Sequence, residues 1–490
     1  MEQYQNYVDG EFINPEGGDW IATEDPWVNE PWVEIPRSTE VDVDRAVAAA
    51  NRAFHESEWR QLTATERGGY LHALADELEG RAEAHAEMDV KDNGKPIKEM
   101  SGQHEAVPDW VRYYAGLADK IQGDTIPVDK RDKFVYTKRE PVGVVAGVTA
   151  YNSPMLMAIW KLSPVLAAGN TIVLKPPETA STSSLALAEA IDEAGIPDGV
   201  VNIVAGYGDE AGGPLIEHSD VDLVSFTGGT GTGRHIAEMA GSNLTRTVLE
   251  LGGKNANIVF EDADLDDAVT GALSGIFSAS GQSCSAGSRL LLQESIHNEF
   301  LKELVTAAED ITLGNPKDPE TDMGPVGSQA QFKKVKKYVE IGDEEGTIEH
   351  GGIPGPDKYE SDYAVEPTIV SGLDNSARLA QEEVFGPVLA VIPFDTEQAA
   401  IEIANDTEFG LTSGVWTEDM RRAHRVADRM RTGRVWINNY RNSSFASPQG
   451  GIKSSGWGRE NGQEGLEEFV ETKAVWVDLS EESNNAFELV

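Results

Sequence analysis

The 490-residue sequence contains one cysteine, comparatively little positive charge and no long apolar run. A single cysteine cannot form an internal disulfide, which argues against a disulfide-stabilised secreted protein. No apolar stretch approaches the roughly 20 residues that a membrane-spanning helix needs. The N-terminal segment MEQYQNYVDGEFINP has no basic region followed by an apolar run, which predicts that there is no signal peptide. We therefore expect a cytoplasmic protein with no membrane association.

The charge balance is strongly acidic, with 84 Asp and Glu residues against 40 Lys and Arg and a formal net charge of −44. Such a surface repels phosphate backbones, which argues against a nucleic-acid partner. A hydrophobic content of 40% is too high for an acidic disordered chain. The composition therefore favours an ordered, halophilic protein whose self-repulsion is screened by salt, and it does not indicate an activity.

Short β-rich runs alternate with segments of helical character, which is typical of βαβ units and a parallel sheet. A capping box formed by Thr63 and Glu66 predicts the start of one helix. A second series of the same kind follows Glu250, and the length predicts two or three domains. The predicted fold class is therefore α/β. The first strands are predicted at GVVAGVT (143–149), TIVLK (171–175), VVNIV (200–204) and VDLVSF (221–226).

Two further β-rich segments stand apart from this alternation. DTIPVDKRDKFVYTKRE (124–140) predicts a two-stranded hairpin outside the helices, and KAVWVDL (473–479) predicts an isolated strand. Exposed strands of this kind often pair with another subunit. We therefore expect a homodimer or homotetramer in which the hairpin and the C-terminal strand meet across subunits.

Two residues are candidates for chemistry on local grounds. Cys284 lies among small and polar neighbours in SASGQSCSAGSRL (278–290). It is either a buried, inert cysteine or a reactive group on a loop held by a rigid scaffold. Glu250 ends the strand-like run TRTVLELGGK, and Gly252 and Gly253 permit close backbone approach there. It is either an ordinary exposed carboxylate or a base that meets the thiol in space.

Two segments have features of a nucleotide site. SFTGGTGTGRHIAEM (225–239) predicts a strand, a glycine-rich turn and a helix, whose N-terminal N–H groups suit a phosphate, although the same turn also occurs without a ligand. TIVLKPPET places Lys175 at a strand end, with Glu178 shortly after. Ligands bind outside the carboxyl ends of strands in open α/β sheets, where a carboxylate can accept from both ribose hydroxyls and repel a 2′-phosphate. A solvated loop pair is the other interpretation.

Taken together, the chain resembles the NAD(P)-dependent aldehyde dehydrogenase superfamily from about Tyr7 to Leu479. The resemblance implies a Rossmann-type cofactor domain (1–122 and 141–252), an α/β catalytic domain (253–465) and a small β oligomerisation arm (123–140 and 466–490). The motifs that carry it are, in order, PVGVVAGVTAYNSP, KLSPVLAAGNTIVLKPPE, FTGGTGTG, LELGGKNANIVFEDADLD, GQSCSAGSR, EEVFGPV and PQGGIKSSGWGRENG.

The resemblance implies a role for each matching residue. Cys284 would be the nucleophile, Glu250 the general base, and Asn152 a side-chain donor to the oxyanion. NAD would be the cofactor, and no metal is expected. The residues expected to contact the cofactor are Lys175, Glu178, Gly208, Phe226, Gly228, Gly229, Leu251, Gln331, Glu383 and Phe385.

The implied reaction is the NAD-dependent oxidation of an aldehyde to a carboxylic acid. The thiolate adds to the aldehyde, the resulting thiohemiacetal gives up a hydride to the nicotinamide, and water activated by Glu250 releases the acid from a thioester. The alternatives are a CoA-acylating relative, which usually lacks the glutamate, and a member specific for semialdehyde acids. The sequence disfavours a cysteine hydrolase, which would need a histidine base. It also disfavours a non-enzymatic member, which would lack one of the three catalytic residues.

The resemblance also assigns a substrate tunnel to Ser153, Met157, Trp160, Ser278, Arg441 and Ser443. Members acting on small apolar aldehydes often carry aromatic residues at the three serine positions, so we expect a roomier and more polar tunnel here. Arg441 falls in the loop at the mouth of the tunnel. It would pair either with a surface carboxylate or with a carboxylate on the substrate.

Overall fold

The computed structural model describes residues 1–481. They form two large β-sheets with helices packed against them, and two small sheets at the periphery. This is the α/β organisation that the alternating runs predict, and the prediction is confirmed. Within the described residues, no helix is both long and apolar enough to span a bilayer.

The first large sheet has a parallel centre and antiparallel edges. Thr171–Lys175 and Leu223–Thr227 are buried along their whole length, which explains why they read as continuous apolar runs. Lys175 and Glu250 end parallel strands and therefore lie at the same edge. In spatial order the strands are Gly456–Trp457, Arg246–Glu250, Leu223–Thr227, Val144–Val148, Thr171–Lys175, Val201–Ile203, Asn6–Val8 and Glu11–Ile13.

The second large sheet is built from the sequence after Gly253. Its strands pair in parallel except for the first two in the order below. Gly456–Trp457 returns to the first sheet although it lies within the predicted catalytic range 253–465. In spatial order the strands are Thr347–Gly352, Glu366–Ser371, Val388–Phe394, Arg289–Gln293, Ala256–Val259, Thr412–Trp416 and Arg434–Ile437.

The helices pack mainly on the faces of these sheets, and the longest begins where the capping box predicts. Thr63 Oγ1 accepts from the Glu66 N–H at 3.3 Å, and Glu66 accepts from the Thr63 N–H at 2.7 Å. The helices are Glu40–Glu56, Ala64–Asn93, Ile97–Leu117, Pro154–Ala168, Thr182–Glu193, Gly213–Glu217, Thr230–Ser242, Leu265–Phe277, His297–Glu309, Gln329–Glu345, Arg378–Gln381, Glu397–Asn405, Met420–Arg429 and Gly462–Glu467.

A small outer sheet corrects one expectation from the sequence. Val470–Asp478 pairs antiparallel with Lys133–Pro141 over its whole length within a single chain, and Thr125–Ile126 completes the predicted hairpin. The C-terminal strand and the hairpin therefore do not need a second subunit to meet, because the chain between Pro141 and Val470 returns the strand to the hairpin. Residues 482–490 of the predicted arm lie outside the described residues. The other small sheet comprises Glu2–Gln3, Glu30–Pro36 and Trp20–Asp25.

Candidate active site

Two cavities meet at the single cysteine. The first, called here the tunnel, has a volume of about 340 Å³, and the second, called here the cleft, has a volume of about 400 Å³. Asn152, Met157 and Cys284 line both cavities. Molecules held in the tunnel and in the cleft would therefore meet beside one thiol.

The loop that carries Cys284 starts with a backbone turn of unusual conformation. Ala279, Ser280 and Gly281 have φ values of 58°, 52° and 70°, and the left-handed region is unfavourable for the first two. A Cβ at Gly281 would lie 2.1 Å from the carbonyl oxygen of Gly386, so only glycine fits there. This turn redirects the chain after the helix Leu265–Phe277 and brings the thiol to the junction of the cavities.

Hydrogen bonds from other elements hold this loop in place. Asn255 Nδ2 donates to the carbonyl oxygens of Cys284 and Ala286, both at 2.8 Å. The Ala279 N–H donates to Glu99 Oε2 at 2.9 Å. The strained turn thus persists because the surrounding structure fixes it on both sides.

The surroundings of the Cys284 thiol oppose its ionisation. Burial raises the pKa of Cys284 to about 11, and the carboxylates of Glu250, Glu383 and Glu460 act in the same direction, against a contact from Ser285. The sulfur lies 3.9 Å from Ser285 Oγ. These surroundings therefore favour the protonated thiol.

Asn152 and Cys284, which both line the junction of the two cavities, each have an N–H donor. Asn152 is buried, and its Nδ2 donates to the Gln282 carbonyl at 3.0 Å, which orients the amide and leaves its second N–H. The backbone N–H of Cys284 makes no hydrogen bond within residues 1–481. An oxygen on a carbon bonded to the sulfur could accept from both donors.

Glu250 is buried at the end of its strand, as the sequence suggests, and not exposed. The residue is 5% accessible, and Oε1 has no hydrogen-bond partner among the described residues. Burial raises the pKa of Glu250 well above its ordinary value, and the charge of Glu460 adds to this effect against Lys161, Arg459 and Arg434. A carboxylate with a raised pKa is a stronger proton acceptor than an exposed one.

A buried ion pair next to Glu250 was not expected from the sequence. Lys161 Nζ donates to Glu460 Oε1 at 2.6 Å, and to Ser225 and Thr227 hydroxyls at 3.1 and 2.8 Å. All three ammonium hydrogens thus have acceptors. The signal in the sequence was a lone lysine inside the apolar helix segment PMLMAIWKLSPVLAA, which needs a buried counter-charge.

All ten residues expected to contact a cofactor line the cleft. Gly208 and Gly229 have open space where a Cβ would stand, and a Cβ at Gly228 would lie 2.4 Å from the Phe226 ring. Gly229 precedes the helix Thr230–Ser242 and provides no side-chain cap, so the first N–H groups of that helix remain available to an anion. These features fit a dinucleotide with its phosphates at the helix terminus.

Lys175 and Glu178 stand together at one end of the cleft. Lys175 is buried, Glu178 is partly exposed, and their charged atoms are 3.5 Å apart. Burial lowers the pKa of Lys175 against the charge of Glu178. The pair therefore offers a donor and an acceptor at a strand end, as a ribose with two hydroxyls requires.

At the opposite end, Glu383, Gln331 and Phe385 form one connected unit. Glu383 accepts from the Gly253 N–H at 2.9 Å. Gln331 Nε2 donates to the carbonyls of Val384 and Phe385 at 3.0 and 2.8 Å, which supports Phe385 at its φ of 57°. Gln331 thus holds the turn that presents the Phe385 ring, in addition to lining the cleft.

Five of the six residues expected in the tunnel line it. Ser278 does not, because the left-handed turn that follows it presents the segment Ser283–Ser285 to the tunnel instead. Arg441 donates to the Ser274 carbonyl at 3.3 Å and forms no ion pair within residues 1–481, so it does not pair with a surface carboxylate there. The tunnel residues that the sequence did not single out include Lys95, Glu99, Trp110, Arg434, Trp436 and Gln449.

The fold and site define an α/β protein in which one thiol lies where a nucleotide-sized cleft meets a separate tunnel. The aldehyde dehydrogenase family model matches residues 12–475. The betaine aldehyde dehydrogenase of Bacillus subtilis (strain 168) is 44% identical over 483 residues, covering 98% of this chain and 99% of that protein. Retinal dehydrogenase 2 of Mus musculus is 42% identical over 481 residues, covering 98% and 92%.

Solved structures agree with the sequence relatives. The betaine aldehyde dehydrogenase of Staphylococcus aureus in complex with NAD⁺ superimposes with a TM-score of 0.97 at 40% identity, covering 99% of this chain and 97% of that one. The chain belongs to the aldehyde dehydrogenase family and is an enzyme that oxidises an aldehyde to a carboxylic acid. The resemblance inferred from the motifs and the aldehyde dehydrogenase-like fold are thus confirmed.

Proposed function

We propose that this enzyme oxidises its aldehyde with NAD, using Cys284 as the nucleophile, Glu250 as the general base and Asn152 as an oxyanion donor. The observation that carries this proposal is the junction of the two cavities at the cysteine, with the carboxylate of Glu250 lining the cleft beside it. The experiment is a cofactor-reduction assay with a panel of aldehydes, with and without CoA. Turnover that requires CoA would support the CoA-acylating alternative instead.

The residues of this chain supply position, charge and proton transfer. Lys175 and Glu178 would hold one ribose, and Glu383 and Phe385 would hold the other end of the cofactor. When bound there, NAD supplies the hydride acceptor. Glu250 acts chiefly on the water that releases the acid, because the raised pKa of its buried carboxylate makes it a stronger proton acceptor.

Two further tasks are to stabilise the oxyanion and to activate the water. The sulfur adds to the aldehyde carbon, and the Asn152 amide and the Cys284 N–H donate to the oxygen that becomes negative. Each such donor contributes about 3–4 kcal/mol in related acyl-transfer sites. After oxidation the acyl group is a thioester on Cys284, and Glu250 removes a proton from the water that hydrolyses it.

We predict a preference for NAD over NADP of at least about 10-fold in kcat/KM, equivalent to ~1.4 kcal/mol. The Glu178 carboxylate lines the cleft next to Lys175 and would repel a 2′-phosphate at short range, where salt screens little. Steady-state kinetics with both cofactors measure this. Glu178→Gln should reduce the ratio of kcat/KM with NAD to that with NADP. Asp209 is an exposed carboxylate near Lys175 that does not line the cleft, and the control Asp209→Asn should leave this ratio unchanged. Higher efficiency with NADP would contradict the assignment.

We also propose a homodimer or homotetramer, for which the outer sheet provides support. Val470–Asp478 is the edge strand of that sheet, and Trp476 on it is 59% exposed, with Phe134 on the neighbouring strand 43% exposed. An open edge next to exposed aromatic residues is a surface that a second copy can cover. We expect light scattering in high salt to give two or four times the chain mass of 53.0 kDa, and Trp476→Glu to lower it. A monomer for the wild type would refute this.

The acidic surface further supports the proposal that the protein works in a salt-rich cytoplasm. A net charge of −44 destabilises the compact state by self-repulsion, and dissolved ions reduce this repulsion. The midpoint of thermal unfolding should therefore rise between about 0.1 and 1 M KCl, over which the screening length falls from about 10 to 3 Å.

A further inference from the structure

The tunnel differs in charge from the rest of the protein. The chain carries 84 acidic against 40 basic residues. Among the charged side chains that line the tunnel, however, Lys95, Arg434 and Arg441 are basic and Glu99 alone is acidic. Since the surface as a whole repels anions, this local excess of positive charge needs its own explanation.

Lys95 and Glu99 compensate each other. Lys95 Nζ lies 3.3 Å from Glu99 Oε1 and also donates to Ser153 Oγ at 3.2 Å. The second carboxylate oxygen of Glu99 accepts from the Ala279 N–H. Burial favours a raised pKa for Glu99, but Lys95 and Arg441 outweigh it and the pKa is lowered, so this carboxylate stays ionised. The pair leaves neither a free charge nor a free carboxylate oxygen for a ligand.

The two arginines lack such compensation. Arg434 donates through Nη2 to the Ser447 and Pro448 carbonyls at 3.4 and 2.9 Å, and its buried Nε has no acceptor. Arg441 donates only to the Ser274 carbonyl. Neither forms an ion pair with any described carboxylate in residues 1–481. A buried N–H without an acceptor is costly, so Arg434 keeps a donor available to an acceptor on a bound ligand.

The two guanidinium groups stand at different places along the tunnel. Arg434 lies near the reacting groups: burial lowers its pKa, while the charges of Cys284 and Glu250 oppose this. Arg441 lies close enough to Lys95 and Glu99 for its charge to act on both. A substrate bound to the sulfur would therefore pass one or both arginines.

We propose that the substrate is an aldehyde that carries a carboxylate, and that Arg434 and Arg441 are the specificity-determining residues that recognise it. This proposal rests on the proposed function. A guanidinium can bind a carboxylate through two parallel hydrogen bonds. Ser443 and Gln449 leave the wall polar, and Trp160 Nε1 is a further buried donor without an acceptor within residues 1–481.

The same arrangement disfavours a cationic aldehyde. Some relatives are named as betaine aldehyde dehydrogenases, and Trp110, Trp160 and Trp436 in this tunnel could contact a quaternary ammonium. Two guanidinium groups without an ion-pair partner in residues 1–481 lie in the same cavity and would repel it, however, and Glu99 has both oxygens engaged. The charges in the tunnel therefore favour an anionic aldehyde over a neutral one, and a neutral aldehyde over a cation.

Kinetics with three probes of different charge test this order. The probes are 4-oxobutanoate, butanal and betaine aldehyde, measured with wild type, Arg434→Gln, Arg441→Gln and the control Arg431→Gln. Arg431 is exposed and does not line the tunnel. We expect each tunnel variant to lose about 10-fold or more in kcat/KM with 4-oxobutanoate, mainly through KM, since a hydrogen bond between charged groups is lost. In Arg441→Gln, butanal should change less than about 3-fold and betaine aldehyde should improve. In Arg434→Gln, whose charge also acts on Glu250, the loss with 4-oxobutanoate should exceed the loss with butanal by about 10-fold. The control should behave as wild type.

A second measurement, the rate of Cys284 alkylation by two reagents, reports on the charge of the tunnel without requiring turnover. Iodoacetate and iodoacetamide differ chiefly in a carboxylate, and in both cases the Cys284 sulfur displaces iodide. Because this is the only cysteine, alkylation reports on one site. The ratio of the iodoacetate rate to the iodoacetamide rate should fall about 10-fold in Arg434→Gln by loss of the same charged contact, and should be unchanged in Arg431→Gln.

The outcomes separate this proposal from the proposed function. If no aldehyde reduced the cofactor, the proposed function would fail, and the alkylation ratio would still report the tunnel charge. If wild type oxidised all three probes with similar efficiency, or if the tunnel variants lowered all three equally with an unchanged alkylation ratio, the carboxylate proposal would be wrong while the enzyme remained an aldehyde dehydrogenase.

Discussion

We expect Cys284→Ala to abolish aldehyde oxidation, with a loss of at least about 10³-fold, while NAD binding stays close to that of wild type. Removing a nucleophile that forms the covalent intermediate leaves only positioning and charge stabilisation. The cleft loses one small lining atom, and the residues proposed to hold the cofactor stay in place. Steady-state turnover and a titration of NAD binding measure the two effects.

Two controls sharpen this result. Cys284→Ser keeps a polar side chain of nearly the same size, so it should also be inactive if nucleophilicity is what matters. Thermal unfolding of both variants should match wild type, because Asn255 anchors this loop through backbone carbonyls that neither substitution changes. Turnover of Cys284→Ala at a substantial fraction of the wild-type rate would show that the cysteine is not the nucleophile.

The positions of the strands along the chain could be inferred from the sequence because buried parallel strands leave a strong signal. TIVLK becomes the strand Thr171–Lys175 without a shift, and the run before Glu250 becomes Arg246–Glu250. The partner of the C-terminal strand could not be inferred in this way. A strand with exposed residues on both faces carries no pattern that selects a neighbour in its own chain over one in another subunit.

The catalytic residues could be predicted from the sequence to a similar extent. Cys284 could be singled out because it is the only cysteine and lies among small and polar residues between two apolar elements. Glu250 could be singled out because it ends a strand just before Gly252 and Gly253. The conformation that joins them could not, since it depends on Ala279 and Ser280 adopting left-handed φ values that neither residue favours. For the same reason the sequence predicts Ser278 in the tunnel, whereas in the structure Ser278 does not line that cavity.

The charged residues around the reacting groups depend on contacts across long stretches of sequence. Lys161 and Glu460 are 299 positions apart, and Arg434 meets the reacting groups from a strand of the other large sheet. No local pattern identifies such partners. A lysine within an apolar helix indicates only that a counter-charge exists, and the fold determines which one it is.

We expect Glu250→Gln to slow thioester hydrolysis more than the first oxidation. A rapid burst of NADH should survive, followed by steady turnover reduced by about 10²–10⁴-fold, the usual contribution of a general base. The amide keeps the shape of the side chain but cannot accept a proton from water. Rapid mixing with excess aldehyde measures the burst and the steady rate together. Glu261 is an exposed carboxylate just after Ala256–Val259, the next strand along the chain. The control Glu261→Gln should leave both phases unchanged.

The pH dependence gives the same assignment an independent check. Burial and the charge of Glu460 raise the pKa of Glu250, against Lys161, Arg459 and Arg434. Since the base acts in its ionised form, wild-type turnover should fall as the pH drops through this raised pKa, well above the ordinary value of about 4.3 for a glutamate. In Glu250→Gln the acidic limb should disappear from the residual rate. If the burst and the steady rate fell equally, Glu250 would act mainly by taking the proton of Cys284, because the hydrolytic step alone would then no longer limit turnover.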